Sequence, residues 1–137
     1  MATTYLTRTA GTPTNAKKFT VSGWFKINWT DTGDHQFFQT YTNGNNREHM
    51  YFSGNKLNFL CNDDGSSAVS ISTNRVFRDT SAFYHIVIAA DTTQSTASDR
   101  IKIYINGVQE TSLNSPTYPG QNFTFRLNTN NLPLTIG

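Results

Sequence analysis

The chain carries nine carboxylates in 137 residues, and their spacing decides what hydrolytic chemistry is open to it. Cutting a glycosidic bond takes two acids about 5 to 10 Å apart, one protonating the leaving oxygen and the other supporting the opposite face of the sugar. Glu48 and Glu110 stand alone in the sequence, and Asp63 and Asp64 are neighbours whose side chains would point apart in a strand. A glycoside hydrolase is therefore disfavoured. His35, His49 and His85 do not fall at a metal-ligand spacing, and a single cysteine, Cys61, cannot build a zinc cluster. Ser81 precedes His85 by four positions, with none of the sharp elbow sequence that exposes a nucleophile. His85 itself lies inside an apolar run and reads as a core histidine bonded to backbone or to a hydroxyl.

The elements that would have to position any site are strands. No stretch holds apolar residues at helical spacing for three turns, whereas period-two runs recur between turn signals. "FTVSGWFKINW" sends Phe19, Val21, Gly23, Phe25 and Ile27 to one side and Thr20, Ser22, Trp24, Lys26 and Asn28 to the other. Gly23 reads there as a bulge or a close backbone approach, and Trp24, like most of the ten phenylalanines, as core. "HQFFQTYT", "HMYFS" and "KLNFLCN" read as short antiparallel neighbours, divided by "NGNN" and "SGNK", whose Gly and Asn can take positive φ. "AVSISTNRVF" is another alternating run. "FYHIVIAAD" is apolar at nearly every position, as in a central strand buried on both faces. In "RIKIYINGVQET", Ile101, Ile103 and Ile105 share a face, and Asn106-Gly107 is the strongest local signal for a type I′ hairpin, which makes this pair scaffold. "FTFRLN" and "LPLTIG" read as two further strands. Nine to eleven short strands with no repeat give an all-β fold, an antiparallel β-sandwich of the jelly-roll kind.

The totals bound the rest. The length suits one domain. Eleven basic and nine acidic residues give a net charge of +2, thinly spread, which is no footprint for nucleic acid. Charged residues are only 15% of the chain, so solubility rests on neutral hydroxyl and amide groups. Cys61 has no partner for an internal disulfide and reads as a small buried hydrophobe. "MATTYLTRTAG" lacks the apolar core of a secretory signal, and no run approaches the roughly 20 apolar residues of a membrane span, so membrane insertion is not expected. The sequons at Asn28 and Asn122 read as chance in a chain so rich in Asn and Thr.

Three stretches resemble a known family. "YLTRTAGTPTNAKKFTVSGWFKI" is similar to the opening of the laminin-G-like, concanavalin A-like lectin/glucanase jelly-roll domains of phage and marine viral structural proteins. "FRDTSAFYHIVIAADTTQSTASDRIKIYINGVQET" resembles that family's Arg-Asp-x-Ser-Ala-aromatic-Tyr-His-Ile strand and its Tyr-x-Asn-Gly-Val hairpin, and "LPLTIG" resembles the strand after it. The likeness is specific over 77–111 and loose over 30–74. It implies a non-catalytic module of a fibre, tail or capsid-decorating protein in the virion, engaged in adhesion or glycan binding, with other virion proteins or copies of itself as partners. A purely structural role in assembly, with no ligand, is the alternative. The glucanase relatives carry Glu-x-Asp-x-x-Glu on one strand, which this chain lacks. Domains of this type also continue past the Ile-Gly with a closing strand, so residues 1–137 read as one domain from a longer protein; the alternative is that a partner chain supplies the strand, and with neither an edge stays open.

The resemblance also nominates residues. Laminin-G-like domains often hold one calcium ion at a sandwich rim, and two loops offer oxygen ligands of the kind this ion takes: "TDTGDH", with Asp31 and Asp34, and "NDDGSS", with Asp63 and Asp64. The plainer reading is that Asp and Gly there make turns, so the cofactor expectation is none or calcium. For sugar binding, an aromatic platform beside amides is the useful chemistry. Trp29 and Tyr41, with Asn43 and Asn45, fit that description.

Overall fold

The structure is a computed structural model that describes residues 4–28 and 33–137. Among the described residues ten strands form two sheets: β1 (Leu6–Thr9), β2 (Lys18–Lys26), β3 (His35–Asn43), β4 (Asn46–Ser53), β5 (Lys56–Asp63), β6 (Ser66–Ser72), β7 (Phe83–Asp91), β8 (Ile101–Ile105), β9 (Val108–Gln109) and β10 (Pro133–Ile136). One sheet runs β1-β10-β3-β4-β5-β6 and the other β2-β7-β8-β9, with every pairing antiparallel. This is the all-β jelly-roll sandwich that the alternation predicts.

Period two explains the core. Met50, Phe52, Leu57, Phe59, Val69 and Ile71 enter from the six-stranded sheet and Ile86, Ile88, Ile101, Ile103 and Ile105 from the four-stranded one, all at or below 3% exposure. Each such side chain contributes about 1.5–3 kcal/mol on leaving water. Cys61 lies in this core, and burial with the nearby Glu48 pushes its thiol far above the usual range, leaving it an inert packing group.

Three hairpin turns share one chemistry. Gly54-Asn55, Asp64-Gly65 and Asn106-Gly107 all hold both central residues at positive φ, the type I′ signature that matches strand twist. The turn between β3 and β4 differs, since neither Gly44 nor Asn45 has positive φ and the register slips between Tyr41 and Asn43.

Several expectations change. Gly23 sits in a continuous β2–β7 register with no bulge; a Cβ there would lie 3.1 Å from the Phe25 ring, so the glycine makes room for an aromatic on its own strand. β7 is central but buried on one face only, with Phe83 59% exposed on the other. Trp24 is outward and 68% exposed, paired with His85, which bonds the Ser22 hydroxyl at 3.0 Å and stacks on the indole at 5.0 Å. His85 thus has the hydroxyl partner expected, but not the core position. "FTFRLN" is not a strand. Arg126–Asn128 is a 3-10 turn instead. The N-terminal strand takes β10 as its partner, which places Pro133–Ile136 between β1 and β3, while β2 is an edge of the smaller sheet.

Candidate ligand-binding face

The outward residues of β10, β3 and β4 meet in register. Thr135 pairs with Gln39, Gln39 with His49, Tyr41 with Arg47, and Gln36 with Tyr51. Because the partners across each pair alternate with core residues such as Phe38 and Met50, all of these side chains must share the solvent face of the six-stranded sheet. All of them but Tyr51 line an open depression of about 680 Å³, closed at one side by Tyr5 and Thr7. Tyr5 and Tyr41 are each more than half exposed.

The floor of this depression is polar and poorly satisfied. His49 is only 9% exposed, its ring 5.0 Å from that of Tyr51. Burial is the main cause that lowers its pKa; the Arg47 charge adds to this and Asp34 opposes it, so the imidazole is held neutral near pH 7. The same burial, with Asp34 adding, raises the Tyr51 phenol. Among the described residues His49 Nε2 and Arg47 Nε are buried and find no hydrogen-bond partner. A second depression of about 490 Å³ beside β2 and β7 differs: its carboxylates, Asp91 and Asp99, are already paired with Lys18 and Lys102.

The nominated residues divide between two places. Tyr41 belongs to the face just described. Asn43 and Asn45 lie at the tip of the β3–β4 hairpin, in a shallower hollow shared with Asp64. That tip is tied to the β5–β6 turn: Gly65 N donates to Asn45 O at 3.0 Å, and Asp64 N to Asn46 Oδ1 at 3.0 Å. The two loops that the sequence separates by some twenty residues are thus one rim. Asp63 there is engaged at 2.8 Å by the Arg126 guanidinium, and Asp64 takes a turn corner at φ 47. Asp34 lies instead beside the other end of β4, where it acts on His49 and Tyr51. Among the described residues no group of three or more His, Cys, Asp or Glu could hold a metal ion. Trp29 and Asp31 lie outside the described residues.

The two lone glutamates are both structural. Glu48 is fully buried beneath this face and accepts hydrogen bonds from Arg126 N, from Leu127 N at 2.9 Å and from the Cys61 thiol at 3.4 Å. Glu110 pairs with Arg75 at 2.6 Å and accepts from Ser112 N at 3.1 Å.

Sequence reasoning missed Tyr5, Gln36, Gln39, Arg47 and His49. The signal was present as Gln36, Gln39 and Tyr41 on one strand and Arg47, His49 and Tyr51 on the next, side chains that stack or hydrogen-bond. Loops drew attention instead, because the pairing that makes these residues one face is long-range.

A family model described as the concanavalin A-like lectin/glucanases superfamily matches residues 1–137. No curated protein matches the chain significantly. Two antiparallel sheets packed face to face, together with a family match from end to end, establish that the chain belongs to the concanavalin A-like lectin/glucanase superfamily.

Proposed function

We propose that this chain is a non-catalytic jelly-roll module that binds glycans on the outer face of its six-stranded sheet and is displayed on a virus particle as part of a fibre, tail or capsid decoration. The observation that carries the binding assignment is the depression over β10, β3 and β4, where two exposed tyrosine rings flank Gln36, Gln39 and Arg47. Rings offer the apolar platform that a pyranose face needs, and the amides and guanidinium supply partners for its oxygens. The non-catalytic reading is supported by the engagement of both glutamates in the fold. The viral setting draws support from the likeness of residues 77–111 to modules of phage and marine viral structural proteins.

A second reading, assembly without a sugar, has its own observation. Trp24 and Phe83 stand exposed on the outer face of the four-stranded sheet, an aromatic surface of the kind that protein interfaces use.

A glycan array probed with wild-type protein and Tyr41→Ala separates these readings. The glycan reading expects selective binding by the wild type and at least a tenfold loss in Tyr41→Ala at unchanged melting temperature, the scale of one lost stacking contact of about 1–3 kcal/mol. A folded wild type that binds no glycan leaves the assembly role.

A further inference from the structure

We propose that the depression on the six-stranded sheet selects carboxylate-bearing pyranosides, with Arg47 as the partner of the carboxylate. This rests on the glycan reading and names the class of sugar.

Three arginines of the chain are half-buried: Arg47, Arg100 and Arg126. Arg100 donates to three backbone carbonyls, those of Gln94, Ser95 and Pro119, at 2.8 to 2.9 Å. Arg126 leaves its Nε unpaired, but its charge is answered by Asp63 at 2.8 Å. Arg47 has neither kind of partner among the described residues, and its Nε is buried and unbonded. A guanidinium stays charged at any physiological pH, and a partly dried donor left without an acceptor is a cost that an incoming anion removes. Beside it, nine-tenths buried, His49 leaves a second atom, Nε2, without a partner in the same floor.

Geometry favours a carboxylate. Arg47 stands directly opposite Tyr41 on the shared face, and side chains so paired have Cβ atoms about 4.5–5.5 Å apart. A pyranose stacked on the Tyr41 ring would carry an equatorial carboxylate sideways from its own plane, toward the neighbouring guanidinium. The planar fork of arginine matches a carboxylate through two parallel hydrogen bonds. The field also has a direction. Asp34 precedes His35, which pairs with Phe52 near one end of β4, and Arg47 stands near the other, so an anion is repelled from the first end and drawn to the second.

The test is calorimetric titration of the full chain with matched pairs that share rings and differ in charge: oligogalacturonate against its methyl ester, and methyl β-glucuronide against its methyl ester. Sulfated lactose is a third arm, and wild type, Arg47→Met and Arg47→Lys are compared after their melting temperatures have been matched. The proposal expects an acidic member to bind at least tenfold more tightly than its neutral mate in wild type. It expects Arg47→Met to weaken the acidic member at least tenfold more than the neutral one, so that the difference between them disappears, and Arg47→Lys to restore part of it. Equal binding of charged and neutral members, or a preference for the sulfate, overturns the carboxylate assignment while the glycan reading stands. Absence of binding to every saccharide by folded protein overturns both.

Discussion

Glu48 shows how a single side chain organises a loop 78 residues away. Its carboxylate accepts from the backbone N–H groups of Arg126 and Leu127, which would otherwise be unpaired at the start of a 3-10 turn, and thereby holds Phe125 and Leu127 in the core. Burial raises its pKa above the ordinary 4.5, and the hydrogen bonds from Leu127, Arg126 and Cys61 only partly oppose this. The folded state therefore holds this proton more firmly than the unfolded chain. Its contribution is greatest below pH 4.5 and declines as pH rises toward the raised value. Glu48→Gln removes one of the acceptors and cannot titrate, so it should cost about 1–3 kcal/mol in urea unfolding. The gap between wild type and variant should narrow as pH rises through that window. A gap independent of pH would show that Glu48 titrates alike in both states.

At the scale of elements, the hairpin at Asn106-Gly107 is where sequence and structure agree most closely. Both residues hold positive φ, and Asn106 does more than turn the chain: its Oδ1 accepts from His85 N at 2.8 Å and its own N–H donates to His85 O at 2.8 Å, fastening the turn to β7. Gly107→Val forces a branched side chain into the left-handed region and should cost about 1–2 kcal/mol. Gly120→Val, at an exposed position with no atom within 4 Å and no positive φ, should stay within about 0.5 kcal/mol. Thermal unfolding of the two variants checks this, and equal losses would remove the type I′ assignment. Alternation made the inward faces legible because burial is a local pattern of every second residue. Alternation could not tell that Trp24 and Phe83 face solvent, since an aromatic residue suits either side of a strand and only the second sheet decides which is covered. "FTFRLN" alternates as well, yet Glu48 draws its amides into a turn, a long-range effect invisible in the segment.

For the whole molecule, the sandwich leaves two outward surfaces of different character. The larger sheet presents tyrosines, glutamines, a guanidinium whose Nε has no partner among the described residues, and a nearly buried neutral histidine; the smaller presents Trp24 and Phe83 beside His85. Of the nominated binding residues, Tyr41 falls on the first surface and Asn43 and Asn45 on its rim. That division follows from register: the order β10-β3-β4 cannot be read from spacing along the chain, and it is what turns scattered polar residues into one face. The measurement that reaches this claim most directly is nuclear magnetic resonance of the isotope-labelled chain titrated with pools of neutral and acidic oligosaccharides. The account predicts amide shifts clustered at Gln39, His49 and Thr135. Shifts centred on Trp24 and His85, or a folded protein whose spectrum no saccharide perturbs, would contradict it.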